Sequence, residues 1–152
     1  MEFDPLKLEN QLCFPLYAAS KEVVRRYKPY LDEVGLTYTQ YIAMMVLWEK
    51  KTVNVKTLGE ALYLDTGTLT PLLKKLEAQG LVTRRRSRTD ERNLVVTLTP
   101  LGEALRQKAV TIPERMGQCI GFSRKDAETL YRLLYKLLGS CAPRETEEAE
   151  EA

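Results

Sequence analysis

Apolar positions along the chain recur at two periods, and their order sketches the architecture. Leu16, Val23, Val24, Tyr27 and Leu31 follow helical spacing, which predicts a first helix from near Leu8 to Tyr27, stopping before Lys28-Pro29. Pro15 is tolerated only in a first turn, so this helix either begins close to Cys13 or bends there. Gly35 is a break. Residues 39–49 are apolar nearly all round and predict a buried central helix. A short extended stretch at 53–55 precedes a small third helix over 56–64, with Leu58, Ala61 and Leu62 on one face. Asp65 and Thr66 then offer an N-cap, and Leu69, Leu72, Leu73 and Leu76 form a stripe that stops at Gly80, a residue suited to the left-handed position after a helix.

From Leu81 the period changes. Residues 81–87 alternate, 89–93 are polar turn sequence and 94–99 alternate again, which predicts a β-hairpin. Two further helices are expected, Pro100 to Arg115 and Ser123 to Leu138. The second opens on a capping-box-like Ser123-x-x-Asp126 and carries Leu130, Leu133, Leu134, Leu137 and Leu138 on a broad face. The expected fold is therefore mainly α with a small β-hairpin: about six helices, with a helix-turn-helix followed by an arginine-bearing wing. Such a helix suits the major groove of DNA, and such a hairpin tip suits the minor groove or flanking phosphates. Helices at both termini, and more leucine than one small core needs, imply a homodimer, which would supply the paired helices a palindromic operator requires. The expected division is a single chain over 1–142, with about 1–34 and 100–140 for dimerisation, about 35–99 for DNA binding, and a disordered acidic tail at 143–152.

Composition narrows the chemistry. The 152 residues, 44% hydrophobic and 29% charged, fit one globular unit. The formal net charge of +2 conceals an asymmetry. Residues 143–152 hold five Glu and one Arg, leaving the rest at +6, and Thr66 to Arg92 alone carries seven cations against Glu77, Asp90 and Glu91. Such clustering is the footprint of a phosphate-backbone binder, although a solvated basic face gives the same count. There is no histidine, which removes Ser-His-Asp and Cys-His relays and the common zinc motifs. The three cysteines, at 13, 119 and 141, form neither a disulfide framework nor a CxxC pair, so no metal or other cofactor is expected and a reducing cytoplasm fits. The longest apolar run, 41–48, is too short to span a membrane, and the first ten residues lack the basic and apolar regions of a signal peptide.

The run LDTGTLTPLLKKLEAQGLVTRRRSRTDERNLVVTLTPLG (64–102) resembles the MarR family of winged-helix transcription regulators. LENQLCFPLY (8–17) and LTYTQY (36–41) resemble its organic-hydroperoxide-sensing branch, the OhrR repressors, and the related staphylococcal thiol-based regulators. The resemblance covers about residues 6–138. It implies a dimeric repressor whose reactive thiol is Cys13, supported by the hydroxyls of Tyr17 on the same helix and of Tyr27 and Tyr38, some of these from the partner subunit. Cys119 is the candidate resolving thiol for two-cysteine chemistry, while Cys141 adjoins the acidic tail and is read as incidental. On the DNA side, the resemblance assigns Thr66, Thr68, Thr70, Lys74 and Lys75 to the recognition helix, and Asp90 and Arg92 to a D-x-R wing motif in which Asp90 orients Arg92. Strand alternation lets only part of the arginine set face DNA; Arg84 and Arg86 are the candidates. Two departures from the family bear on the Cys13 pocket: Pro15 replaces a helix-compatible residue, and Thr39 stands where proline is frequent.

Chemistry agrees with the thiol assignment, since thiolate rather than thiol reacts with peroxide, and a helix N-terminus with donor hydroxyls favours thiolate. The expected function is a redox-sensing repressor that binds a palindromic operator as a homodimer and releases it when an organic hydroperoxide oxidises Cys13. It is not expected to be an enzyme. One alternative is a regulator gated by a small aromatic ligand. Another, of a different class, is a thiol peroxidase, which would have no need of a basic wing.

Overall fold

The computed structural model describes residues 4–90 and 93–141; Arg92, the side chain of Cys141 and the acidic tail lie outside the described residues. Among those described are seven α-helices, a 3-10 turn at Leu8–Asn10 and a three-stranded antiparallel sheet. The chain divides into two compact units, residues 1–116 and 117–152.

The first unit opens with α1 (Cys13–Asp32), and both of its ends correct the sequence expectation. Leu8–Asn10 stays a separate turn, and regular helix begins at Cys13, which places Pro15 in the first turn. There its missing N–H would have had no intrahelical acceptor in any case. At the other end the helix runs past Pro29 to Asp32. Proline forfeits one backbone hydrogen bond there, while burial of Leu31 and the Lys28–Asp32 pair at 2.9 Å hold the last turn.

α2 (Tyr38–Lys50) starts on a complete capping box. Thr37 Oγ1 accepts from the Gln40 N–H, and Gln40 Oε1 accepts from the Thr37 N–H at 2.9 Å. Its residues Tyr41, Ala43, Met44, Leu47 and Trp48 are buried, as the all-round apolar pattern requires, and form the centre of the core. Trp48 Nε1 donates to the Gly102 carbonyl at 2.8 Å, tying α2 to the start of α5 (Pro100–Ala109). Gly102 is obligatory there, because a Cβ would collide with the Leu81 carbonyl oxygen.

The helix-turn-helix consists of α3 (Val55–Leu62) and α4 (Thr66–Ala78), each begun by a side-chain cap: Asn54 accepts from the Thr57 N–H and Asp65 from the Thr68 N–H, both at 2.7 Å. The turn between them is tight enough that a Cβ on Gly59 would lie 2.7 Å from the Leu64 carbonyl oxygen. At the end of α4, Gly80 adopts φ +75°, its N–H donates to Glu77 and the Leu81 N–H reaches back to Leu76, a Schellman closure.

The wing is β2 (Val82–Arg86) paired with β3 (Leu94–Leu98), with Val82 opposite Leu98 and Arg86 opposite Leu94. The extended stretch expected at 53–55 is a third strand, β1 (Thr52–Asn54), on the far side of β3, so the hairpin belongs to a small sheet of order β1-β3-β2. The helix expected over 100–115 is two, α5 and α6 (Ile112–Ile120), broken at Val110-Thr111; Ile112 and Met116 of α6 are buried. The second unit holds the end of α6 and α7 (Arg124–Cys141), whose start is closed by the Asp126 N–H donating to Ser123 Oγ at 3.1 Å. No α7 side chain is described as buried, and Leu130, Leu133, Leu137 and Leu138 are exposed.

Candidate redox thiol and nucleic-acid interface

Capping decides what the recognition helix presents. Asp65 is spent on the first turn of α4, and the N–H groups it accepts hold its carboxyl below the usual range. The four leucines Leu69, Leu72, Leu73 and Leu76 face the core, which leaves Thr66, Thr68, Lys74 and Lys75 exposed on the outer surface. Thr70 is half-buried and its hydroxyl donates to the Thr66 carbonyl at 2.9 Å, so toward DNA it can act only through its oxygen lone pairs or its methyl. The expected set thus lies along one helix with unequal donor capacity.

The wing divides its arginines. Arg85, Arg86 and Arg88 are exposed. Arg84 is not: its side chain is 19% accessible, and its guanidinium donates twice to Glu77 Oε1, at 3.1 and 3.3 Å. Its charge therefore serves a contact between α4 and β2. The guanidinium in turn holds the Glu77 carboxyl below the ordinary carboxylate range. At the tip, Asn93 closes the loop on Asp90 through its N–H at 3.0 Å and its side-chain amide at 3.4 Å, and the Ser87 N–H bonds to the Asn93 carbonyl. Glu77 is not among the expected site residues; it is one of three acids in the basic window, and its pairing with Arg84 has no mark in the sequence.

Cys13 is exposed at the first position of α1. Tyr17 lies one turn further on the same face, with Cβ atoms of such a pair roughly 5–6 Å apart. Lys21 Nζ donates to the Tyr17 hydroxyl at 3.1 Å, which occupies a lone pair and leaves the phenolic proton able to donate elsewhere. Tyr27 and Tyr38 belong to a different place. They stack with Tyr41 where α1 meets α2, with ring centroids 5.0 Å apart for Tyr27–Tyr38 and 5.9 Å for Tyr27–Tyr41. Burial pushes all three phenols upward, Tyr41 to about 12, so they remain protonated donors at neutral pH. Tyr27 is fourteen helical steps from Cys13, about 21 Å along the axis. Within one chain the thiol therefore has Tyr17 alone of the three tyrosines. Cys119 is exposed near the end of α6, in the second unit.

A helix-turn-helix whose second helix keeps threonines and lysines on its outer face, followed by an arginine-bearing wing, defines a DNA-binding winged-helix regulator. The model of the family Transcriptional regulator SarA/Rot matches residues 25–109. The organic hydroperoxide resistance transcriptional regulator of Bacillus subtilis (strain 168) is 53% identical over 140 residues, 90% of this chain and 93% of that protein. Among solved structures, reduced AbfR bound to DNA, a Staphylococcus epidermidis protein, has TM-score 0.72 and 34% identity over 88% of this chain and 93% of its own. Disulfide-formed AbfR has TM-score 0.62 and 37% identity over 86% and 92%. The chain belongs to the MarR family of winged-helix transcription regulators, in the organic-hydroperoxide-resistance branch.

Proposed function

We propose that this chain is a homodimeric repressor that holds a palindromic operator while Cys13 is reduced and releases it once an organic hydroperoxide has oxidised that thiol. The observation that carries the reading is the placement of Cys13: an exposed thiol beginning the same helix that, through Tyr27, packs on α2 of the DNA-binding core. The Cys13 thiolate attacks the outer peroxide oxygen; the O–O bond breaks, sulfur takes the hydroxyl as sulfenic acid, and the alcohol leaves with a proton from solvent. A second thiol then displaces water from the sulfenic acid to form a disulfide. Tyr17 of the same subunit, with Tyr27 and Tyr38 of the partner, would donate to the thiolate. Thr66, Thr68, Lys74, Lys75, Arg86 and Arg92 would meet the DNA, Thr70 through lone pairs or methyl. The protein works in the cytoplasm, where its operator is, and acts as a stoichiometric sensor rather than an enzyme.

The test is an operator titration with wild-type and Cys13→Ser protein before and after a hydroperoxide. Wild type should lose affinity at least tenfold on oxidation, and the serine variant should keep it. A serine variant that still lets go on oxidation would sink the thiol switch, and many turnovers of peroxide per thiol with DNA binding intact would make the chain a peroxidase. A half-enclosed cleft of about 250 Å³ lined by Val24, Leu31, Leu36 and Tyr38 favours a small aromatic effector. It lies below the usual size of ligand pockets. Non-reducing gels separate the two resolving routes: a covalent dimer lost in Cys119→Ser assigns resolution to Cys119, and a monomer carrying a small thiol assigns it to that thiol.

A further inference from the structure

We infer that Glu77 is a positioning residue for DNA binding: its carboxylate locks the wing to the recognition helix, and Arg84 is its partner rather than a DNA contact. Glu77 is the penultimate residue of α4, on the helix that carries Lys74 and Lys75. It accepts the Arg84 backbone N–H on Oε2 at 2.9 Å and the Arg84 guanidinium on Oε1. β2 is an edge strand of the sheet, so the Glu77 carboxylate gives the Arg84 N–H the acceptor that no further strand supplies, and it accepts the charged guanidinium of the same residue. These bonds join the two elements that read DNA, independently of the covalent link through Gly80 and Leu81. An acid so close to a phosphate-binding surface repels DNA, so its presence in a basic window calls for a compensating role. Alignment of the wing is that role: with β2 fixed to α4, Arg85, Arg86 and Arg88 are held in a set relation to the groove the helix enters.

The two readings of Arg84 assign opposite signs to one substitution. Glu77→Gln removes a negative charge near DNA. If Arg84 were a direct contact that Glu77 merely restrains, the variant would bind operator more tightly. If Glu77 aligns the wing, it binds more weakly, by about tenfold, and its salt dependence flattens by about one phosphate contact or more as wing cations disengage. Cleavage protection should then be lost at the wing positions of the operator and kept under the recognition helix. All measurements use the reduced full-length dimer, so the result is independent of the thiol switch. Arg84→Gln provides the second arm: the loss should match that of Glu77→Gln, and the double variant should be no worse than either single one. Melting temperatures within a few degrees of wild type, measured alongside, show that the folded state is retained. Unchanged or tighter binding by Glu77→Gln, or additive losses in the double variant, overturns the assignment.

Discussion

Helices α3 and α4 end on the same backbone device with different residues in it. After α4 the left-handed position is Gly80; after α3 it is Tyr63, with φ +55°, where the Leu64 N–H reaches back to Gly59 as the Leu81 N–H does to Leu76. A side chain in that region costs about 1–2 kcal/mol in local strain, and the Tyr63 ring is 63% exposed, so packing offsets little of it. Tyr63→Gly should therefore stabilise the fold by about 0.5–1 kcal/mol after allowing for glycine's greater entropy when unfolded, read as a higher denaturation midpoint. A lower midpoint would mean that the ring contributes more than its exposure suggests. Residues of this kind show where sequence reading succeeds. Asp65 and Gly80 declare themselves because capping chemistry is local. Glu77 and Arg84 do not, because their contact is created by the turn that folds β2 back along α4; among the described arginines of the basic window, Arg84 is engaged while Arg85, Arg86 and Arg88 are exposed.

Elements were legible where their period was long and their caps polar: α2, α4 and both wing strands fall close to expectation. Lys28-Pro29 predicts a boundary, but the buried Leu31 beyond it carries α1 onward. The division of 100–115 into α5 and α6 departs from the expected single helix, although Pro113 in the first turn of α6 is a local mark of a helix start. The junction of α1 with α2 also carries an alkaline response of the fold. Tyr27, Tyr38 and Tyr41 have raised phenol values, so the unfolded chain surrenders these protons first. The stability they contribute is whole below about pH 10 and is lost as pH climbs toward 12. Denaturation midpoints should fall over that interval, and less steeply when Tyr38 is replaced by Phe. Midpoints that hold level through it would show that the three rings separate freely.

At the scale of the molecule, two surfaces are unfinished in a single chain. Phe14, Leu16 and Val24 of α1 are exposed, and so are Leu130, Leu133, Leu137 and Leu138 of α7. Apolar faces this long are a site of association, and the proposed assignment of about 1–34 and 100–140 to the dimer rests on them. Replacing Leu133 and Leu137 together by Asp should convert the dimer to monomer in sedimentation and reduce operator affinity by orders of magnitude, because one half-site remains per molecule. A dimer that survives both charges would place the interface elsewhere. The sequence made this region visible as surplus leucine, whereas the distance between Cys13 and the Tyr27–Tyr38 cluster follows only from helix length. That distance is why the proposed donors Tyr27 and Tyr38 would have to come from a second chain.

The bond from Trp48 to the Gly102 carbonyl has an optical consequence. Trp48 is the chain's only tryptophan and is 7% exposed. Its fluorescence therefore comes from one known place, the seam between α2 and α5, and its colour follows whether water reaches that seam. The protein carries an intrinsic gauge, needing no label, of whether a signal arriving at α1 loosens the core beneath the DNA-reading elements.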